Sequence, residues 1–311
     1  DNGSYSDGLR RIIIEEKNSY SIDLTARGGK GAPGIGSMAS SSNVTTQIII
    51  RSGTVKACGG AEKSGYIGVL ATDAAGEHFR TVLQAENVDI SRLRRGVGRT
   101  ACNYITLDDQ GDRAFSGNNG QETVQNLYRP IITSADRMYA ATFDVVHSSI
   151  HSGLDDALPA LSHCADLSMD FSSDGFTHDN VARLAPLLRF AFFSAGERSE
   201  EQAMEFASFA AECGVPEVIF TMGLRGACGI SHGKKWHVPA TPVDAVDALG
   251  AGDGFIAAFL RAFYDNGADA AAAAADASGF AAKCCLHHGA MGHPIAIAES
   301  GLFPETGEIG T

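Results

Sequence analysis

From Tyr66 onward short apolar segments alternate with helix-like stretches, and this ordering limits what the chain can fold into more than any other feature. Tyr66–Ala71 (YIGVLA) reads as a buried strand that leads through Asp73 into a helical stretch ending near Ala85. Further strands are predicted at Asp144–Ser149, Leu167–Phe171, Phe190–Ser194 and Val218–Met222, with helices near Asp155–His163, Asn180–Leu188 and Ser199–Cys213 between them. Strands that are apolar along their whole length, separated by helices, need cover on both faces. The pattern therefore predicts an α/β fold with a mainly parallel central sheet. Ligands of such sheets gather at the carboxyl ends of the strands. One interruption stands out: Ala101–Leu107 and Arg113–Phe115 flank the polar turn Asp108–Asp112, which predicts a β-hairpin. Two helices, Ala251–Tyr264 and Asp269–His287, follow the alternating region. In residues 1–60, Ile12–Ile14 and Gln47–Ile50 look like strands, and the glycine- and serine-rich Gly28–Ser42 reads as loop or lid.

The run Asp247-Ala-Leu-Gly-Ala-Gly-Asp253-Gly-Phe255 puts a tight glycine turn and a carboxylate at the mouth of the first of those two helices. Gly250, Ala251 and Gly252 would present unpaired amides there, and a helix N-terminus attracts anions. An ionised Asp253 beside it could take a proton from an attacking hydroxyl while the amides absorb charge on a phosphoryl group. The same residues also read as a plain turn with aspartate as an N-cap. A formal net charge of -13, with no basic run, argues against a nucleic-acid partner. Any phosphate must then be held by local dipoles and a metal ion. The length of 311 residues with 44% hydrophobic content suits one large domain over residues 1–311. The seven cysteines, an odd number without regular spacing, fit thiols in a reducing compartment, which predicts a cytoplasmic protein. No apolar run approaches membrane-spanning length, so no membrane partner is expected.

Two segments together resemble the ribokinase-like (PfkB) carbohydrate kinases: Asp247–Phe255 is similar to the family's second signature, and Thr221-Met-Gly-Leu-Arg-Gly226 to its Thr-x-Gly-x-x-Gly nucleotide segment. Ile67–Phe79 resembles the family's strand and turn after the sugar-binding region. Phe143–His147, Met169–Ser172, Phe190–Ala195 and Ala281–Ala290 are most similar to the family's kinases of fructosamines such as fructoselysine. The resemblance implies a three-layer αβα ribokinase-like fold with a small β-lid drawn from parts of 12–50 and 98–117. It implies a phosphotransferase with an alcohol acceptor, using ATP and Mg2+ and also a monovalent cation (K+), with a homodimer formed through the lid.

Residue roles follow from the same resemblance. Asp253 would be the catalytic base, with Gly250, Ala251 and Gly252 as the anion hole. Thr221, Gly223 and Gly226 would shape the nucleotide side, and Arg225 would screen the phosphates. Glu197, in Ser194-Ala-Gly-Glu197, occupies the acidic place of the family's metal-organising Asn-x-x-Glu, with Ser194 replacing Asn; it also reads as a helix-start residue. Ala248 stands where the family usually has Thr. Asp23, Gly29 and Lys30 are the nearest matches to the sugar-binding residues, although Pro33 replaces the expected Asn and Gly28–Gly36 also reads as a plain surface loop. His147, His151, His287, His288 and His293 with Cys284 and Cys285 match no recognised zinc spacing. Beside a fructosamine, the open acceptors are fructose, ribose and a nucleoside. A catalytically silent sugar-binding protein on the same fold is the alternative of a different class.

Overall fold

The strands foreseen at Tyr66–Ala71, Asp144–Ser149, Leu167–Phe171, Phe190–Ser194 and Val218–Met222 lie in one nine-stranded sheet. The computed structural model describes residues 11–13, 23–25, 38–39, 45–51, 54–58, 64–107, 113–118, 122–128, 131–173, 176–265, 267 and 269–286. In chain order these form β1 (Arg11–Ile13), β2 (Asp23–Thr25), β3 (Met38–Ala39), β4 (Thr45–Arg51), β5 (Thr54–Cys58), β6 (Ser64–Ala71), α1 (Ala74–Ala85), β7 (Asp89–Gly96), β8 (Ala101–Leu107), β9 (Arg113–Asn118), α2 (Val124–Leu127) and α3 (Ser134–Ala140). There follow β10 (Val145–Ser149), α4 (Leu158–Ser162), β11 (Asp166–Asp170), α5 (His178–Leu184), β12 (Phe190–Ser194), α6 (Glu200–Glu212), β13 (Glu217–Thr221), β14 (Ala227–Ser231), β15 (Lys234–Val238), α7 (Ala251–Asp265) and α8 (Ala270–Cys284).

The large sheet has the order β15-β14-β13-β12-β11-β10-β5-β6-β7. Pairing is parallel from β10 through β13 and between β6 and β7, and only β5 and β14 run against the other strands. Strand side chains alternate between faces, and here the alternation builds two cores. Phe190 and Phe192 of β12 join Ile219 of β13 and the buried face of α7 and α8. Ala191, Phe193, Val218 and Phe220 point the other way, into a core completed by residues of α4, α5 and α6 such as Leu158, Val181 and Ala203. Helices thus cover both faces, which is the three-layer arrangement expected. A separate four-stranded antiparallel sheet has the order β3-β4-β8-β9. It is the hairpin of Ala101–Leu107 and Arg113–Asn118 joined by residues from the N-terminal region.

Among the elements not foreseen are β7, β14 and β15. β7 (DISRLRRG) lacks an apolar alternation because it is an edge strand: Arg92 Nε donates to Asp136 at 2.8 Å, and Arg94 reaches the same carboxylate. Asp136 is also the capping-box partner of Thr133 at the start of α3, so one buried acid ties strand to helix. β14 and β15 form a hairpin over His232-Gly233, both at positive φ (46° and 79°), as a two-residue turn between twisted strands requires.

Glu217, at the start of β13, is fully buried at the end of the sheet where β13 begins. Neither carboxylate oxygen has a hydrogen-bond partner of good geometry among the described residues, and His232 Nε2 lies 3.2 Å from Oε1. Desolvation pushes its pKa above the usual carboxylate value, against smaller opposing effects of Ser231, His232 and Arg189. A raised folded pKa favours the protonated acid, so its stabilising contribution is complete below the unfolded pKa and is lost as pH rises through the folded one. Glu217→Gln removes that titration. Urea midpoints of the variant and the parent should therefore diverge in favour of the variant as pH climbs from 4 to 8, and a difference independent of pH would contradict the assignment.

Candidate active site

The topology carries α7 to the right edge of the sheet. β15 runs in the same direction as β12 and β13, so its end at Val238 lies at the carboxyl edge, and the chain then crosses to the start of α7. That crossing is held to α8: Ser278 Oγ accepts from Thr241 N (2.8 Å) and donates to Pro239 O (3.2 Å). Cys285 O, at the end of α8, accepts from Val246 N (2.8 Å) and Asp247 N (3.2 Å). Asp247 Oδ1 then accepts from Leu249 N at 2.9 Å and shapes the turn.

Gly250 has φ 77°, a conformation that side chains strain, and its carbonyl accepts from Gly254 N at 2.7 Å, which makes it the N-cap of α7. Ala251 N donates to Ala248 O at 3.1 Å, so this amide is engaged in the turn. Gly252 N has no acceptor among the described residues, and a Cβ added at Gly252 would meet nothing within 4 Å. Among the described residues, Gly252 therefore has an open amide at this helix end. Asp253 lies in the first turn with only 7% of its surface exposed, and Asp247 is 6% exposed. Behind Asp253 the helix is fixed by packing: Phe255, Phe259 and Phe263 stack along one face, and Phe259 meets Phe192 edge to face at 5.4 Å between ring centroids.

The nucleotide-type segment lies on neighbouring strands of the same edge. Ser194 and Thr221, the last residues of β12 and β13, are paired, so the loops that follow them run side by side. Thr221 Oγ1 donates to Phe193 O at 3.4 Å, and Ala195 N to Thr221 O at 2.8 Å. Gly223 (φ 58°) and Gly226 (φ 88°) bracket a tight 3-10 turn closed by Met222 N to Gly226 O at 2.8 Å. Glu197 is exposed on the loop after β12. Arg225 is turned toward that loop: Nη1 donates to Arg198 O (2.6 Å) and Nη2 to Gly196 O (2.8 Å).

Two carboxylates at the same edge escaped attention as site residues. Asp73, after β6, caps α1 through Gly76 N (2.8 Å) and accepts from Thr100 N (2.6 Å) and Thr100 Oγ1 (2.5 Å), which anchors the root of β8 to the main sheet. Its N-cap position before Ala-Ala-Gly-Glu was the available signal. Asp170, the last residue of β11, is 5% exposed and accepts from Ser172 N at 2.8 Å. His147 is buried with Nδ1 2.9 Å from Ser168 Oγ, a structural position inside β10. Asp23 lies in β2, and Gly29 and Lys30 lie outside the described residues.

A glycine turn feeding a helix N-terminus, a buried acid on its first turn and a glycine-bracketed loop at the carboxyl edge of the sheet are the elements from which phosphoryl-transfer sites are built. The pfkB family carbohydrate kinase pattern matches residues 52–296, and the chain belongs to that family. It is 34% identical over 246 residues to "Fructosamine kinase FrlD" of Bacillus subtilis, covering 78% of this chain and 86% of that protein. It is 31% identical over 226 residues to "Fructoselysine 6-kinase" of Escherichia coli, covering 73% and 84%. Among solved structures, a ribokinase of Arabidopsis thaliana complexed with ribose and ATP superposes with a TM-score of 0.61 at 18% identity, covering 73% of this chain and 77% of the other. A ribokinase II of E. coli with ATP and Mg2+ gives 0.60 at 23% identity, covering 74% and 79%. These two show the fold. The protein is a carbohydrate kinase, a phosphotransferase with an alcohol acceptor. No helix among the described residues is long and apolar enough to cross a membrane.

Proposed function

We propose that the chain transfers the γ-phosphate of ATP to the 6-hydroxyl of a fructosamine such as fructoselysine. The observation that carries this acceptor is the identity, above 30% and over most of both chains, to kinases named for fructosamine and fructoselysine. Asp253 takes the proton of the attacking hydroxyl; its place in the first turn puts it next to the Gly252 amide and the positive end of the α7 dipole, which receive the charge of the moving phosphoryl group. Thr221, Gly223 and Gly226 form the nucleotide side, where glycines admit phosphates close to the backbone.

Among the described residues no group of three His, Cys, Asp or Glu side chains could hold a metal by itself. A single exposed carboxylate at the carboxyl edge, that of Glu197, fits Mg2+ carried by the nucleotide, since Mg2+ keeps most of its waters and takes one or two carboxylates beside phosphate oxygens. Glu197 is the carboxylate assigned to it. Bound there, Mg2+ neutralises charge on the β- and γ-phosphates. Asp23, Gly29 and Lys30 hold the sugar, and the four-stranded sheet closes over it as a lid that excludes water. A K+ ion near the Asp247 turn, pairing of two copies through the lid, a single domain over residues 1–311 and a cytoplasmic setting belong to the same reading.

The test is ADP release with Mg2+ and ATP, screened over fructosamines, hexoses, pentoses and nucleosides. Fructoselysine should lead in kcat/KM by at least about tenfold over fructose and ribose, the discrimination expected where a site pairs a polar group that the competitor lacks. A faster pentose or nucleoside would replace the acceptor, and silence with every sugar would leave a binding protein.

A further inference from the structure

Arg225, in the nucleotide-type loop, turns its guanidinium onto the neighbouring loop after β12. Its two guanidinium nitrogens hold the carbonyls of Gly196 and Arg198, the residues on either side of Glu197. The fork therefore straddles Glu197 and fixes the backbone before and after it. The loop needs such a hold: Gly196 sits at φ 56°, and Glu197 itself is exposed with no side-chain partner among the described residues. A second arginine continues the link. The Arg198 guanidinium lies 4.3 Å from the centroid of Phe176, and its Nη1 donates to Ala195 O (3.4 Å) and Ser173 O (3.5 Å). The loops after β11, β12 and β13 are thereby joined edge to edge by two arginines.

We propose that Arg225 is a positioning residue of the kinase, a clamp that sets the direction of the Glu197 carboxylate toward the nucleotide-borne cation instead of meeting the phosphates itself. This rests on the kinase reading and on Glu197 as the cation's carboxylate. Geometry is the reason for arginine at this place. A planar fork reaches two carbonyls at once, whereas a lysine ammonium on the same stem is a point donor that cannot hold both in one plane. Because the two carbonyls belong to the residues flanking Glu197, loss of the fork frees the acid without removing it. The cost should therefore appear in cation-dependent binding and be absent once the acid is gone.

Calorimetric titration of the whole protein with Mg2+-ATP and with ATP in EDTA reads this without an acceptor sugar. Arg225→Ala should weaken Mg2+-ATP binding about tenfold and metal-free ATP binding less than about twofold, the coupling expected of residues that share one network. Arg225→Lys should stay close to the alanine variant. In a Glu197→Gln background, Arg225→Ala should cost less than about threefold more, because the two changes remove the same arrangement. Equal losses with and without Mg2+ would overturn the clamp, since they would mean direct contact with phosphate or a general loss of structure. So would losses that multiply in the double variant, or an Arg225→Ala protein that melts lower while binding Mg2+-ATP normally. A parent protein that binds no Mg2+-ATP overturns the kinase reading itself, a result distinct from an active parent with an indifferent Arg225→Ala.

Discussion

Asp253→Asn should lower kcat by about a thousandfold, within the range that a positioned general base contributes, while KM for Mg2+-ATP moves less than about twofold. The substitution keeps the shape of the side chain and its place in the first turn of α7, where the residue is 7% exposed, but removes the ability to accept a proton. Little of the fold depends on that charge. The helix is seated by its aromatic face, with Phe190 and Phe263 meeting edge to face at 5.0 Å between centroids, and that contact is untouched. Circular dichroism and the urea midpoint should therefore match the parent. Steady-state ADP release gives the kinetic comparison. A variant that keeps a tenth or more of the parent's turnover would take the proton-accepting role away from Asp253 and pass the search to Asp170, the buried acid at the end of β11.

Gly226→Ala should destabilise the protein by roughly 2–6 kcal/mol, the sum of a strained backbone and an overfilled contact at about 1–3 kcal/mol each. Gly226 has φ 88° and ψ -140°, a conformation that essentially only glycine adopts. A Cβ there would fall 2.1 Å from Val238 O and 2.7 Å from Ala240 N, both backbone atoms that cannot rotate aside. The nearby Gly223 supplies the comparison. Its φ of 58° lies in the ordinary left-handed region and a Cβ would have nothing within 4 Å, so Gly223→Ala should cost only about 1–2 kcal/mol. Urea titrations of the two variants measure the contrast. Equal midpoints would mean that the β13–β14 turn does not press on the end of β15.

The readable parts of the chain share a physical cause. Phe190–Ser194 was bounded correctly because a strand buried on both faces must be apolar at every residue, and α7 was found at Ala251 because a glycine turn precedes a long apolar run. β7 was missed because its side chains are satisfied by ions: three arginines in DISRLRRG suggest a loop until Asp136 is seen across from two of them. The β14–β15 hairpin was missed because His232 takes a positive φ that asparagine or glycine would have advertised. The glycine turn at Gly250 and the place of Asp253 in the first turn of α7 were legible from spacing. The engagement of Ala251 N by Ala248 O and the turning of Arg225 onto Gly196 and Arg198 were not, since both depend on backbone positions that a string of residue types does not contain.

Both outer strands of the large sheet carry cations. β15 ends one side with exposed Lys234 and Lys235, and β7 ends the other with Arg92 and Arg94, which share the single Asp136 carboxylate and so leave one positive charge over. An unpaired strand is a template for another copy to extend, and like charges along it make that extension unfavourable. Edge-to-edge polymerisation, the common hazard of a wide open sheet, is thus opposed at each margin, and concentrated stocks should tolerate low salt better than high salt, where this repulsion is screened.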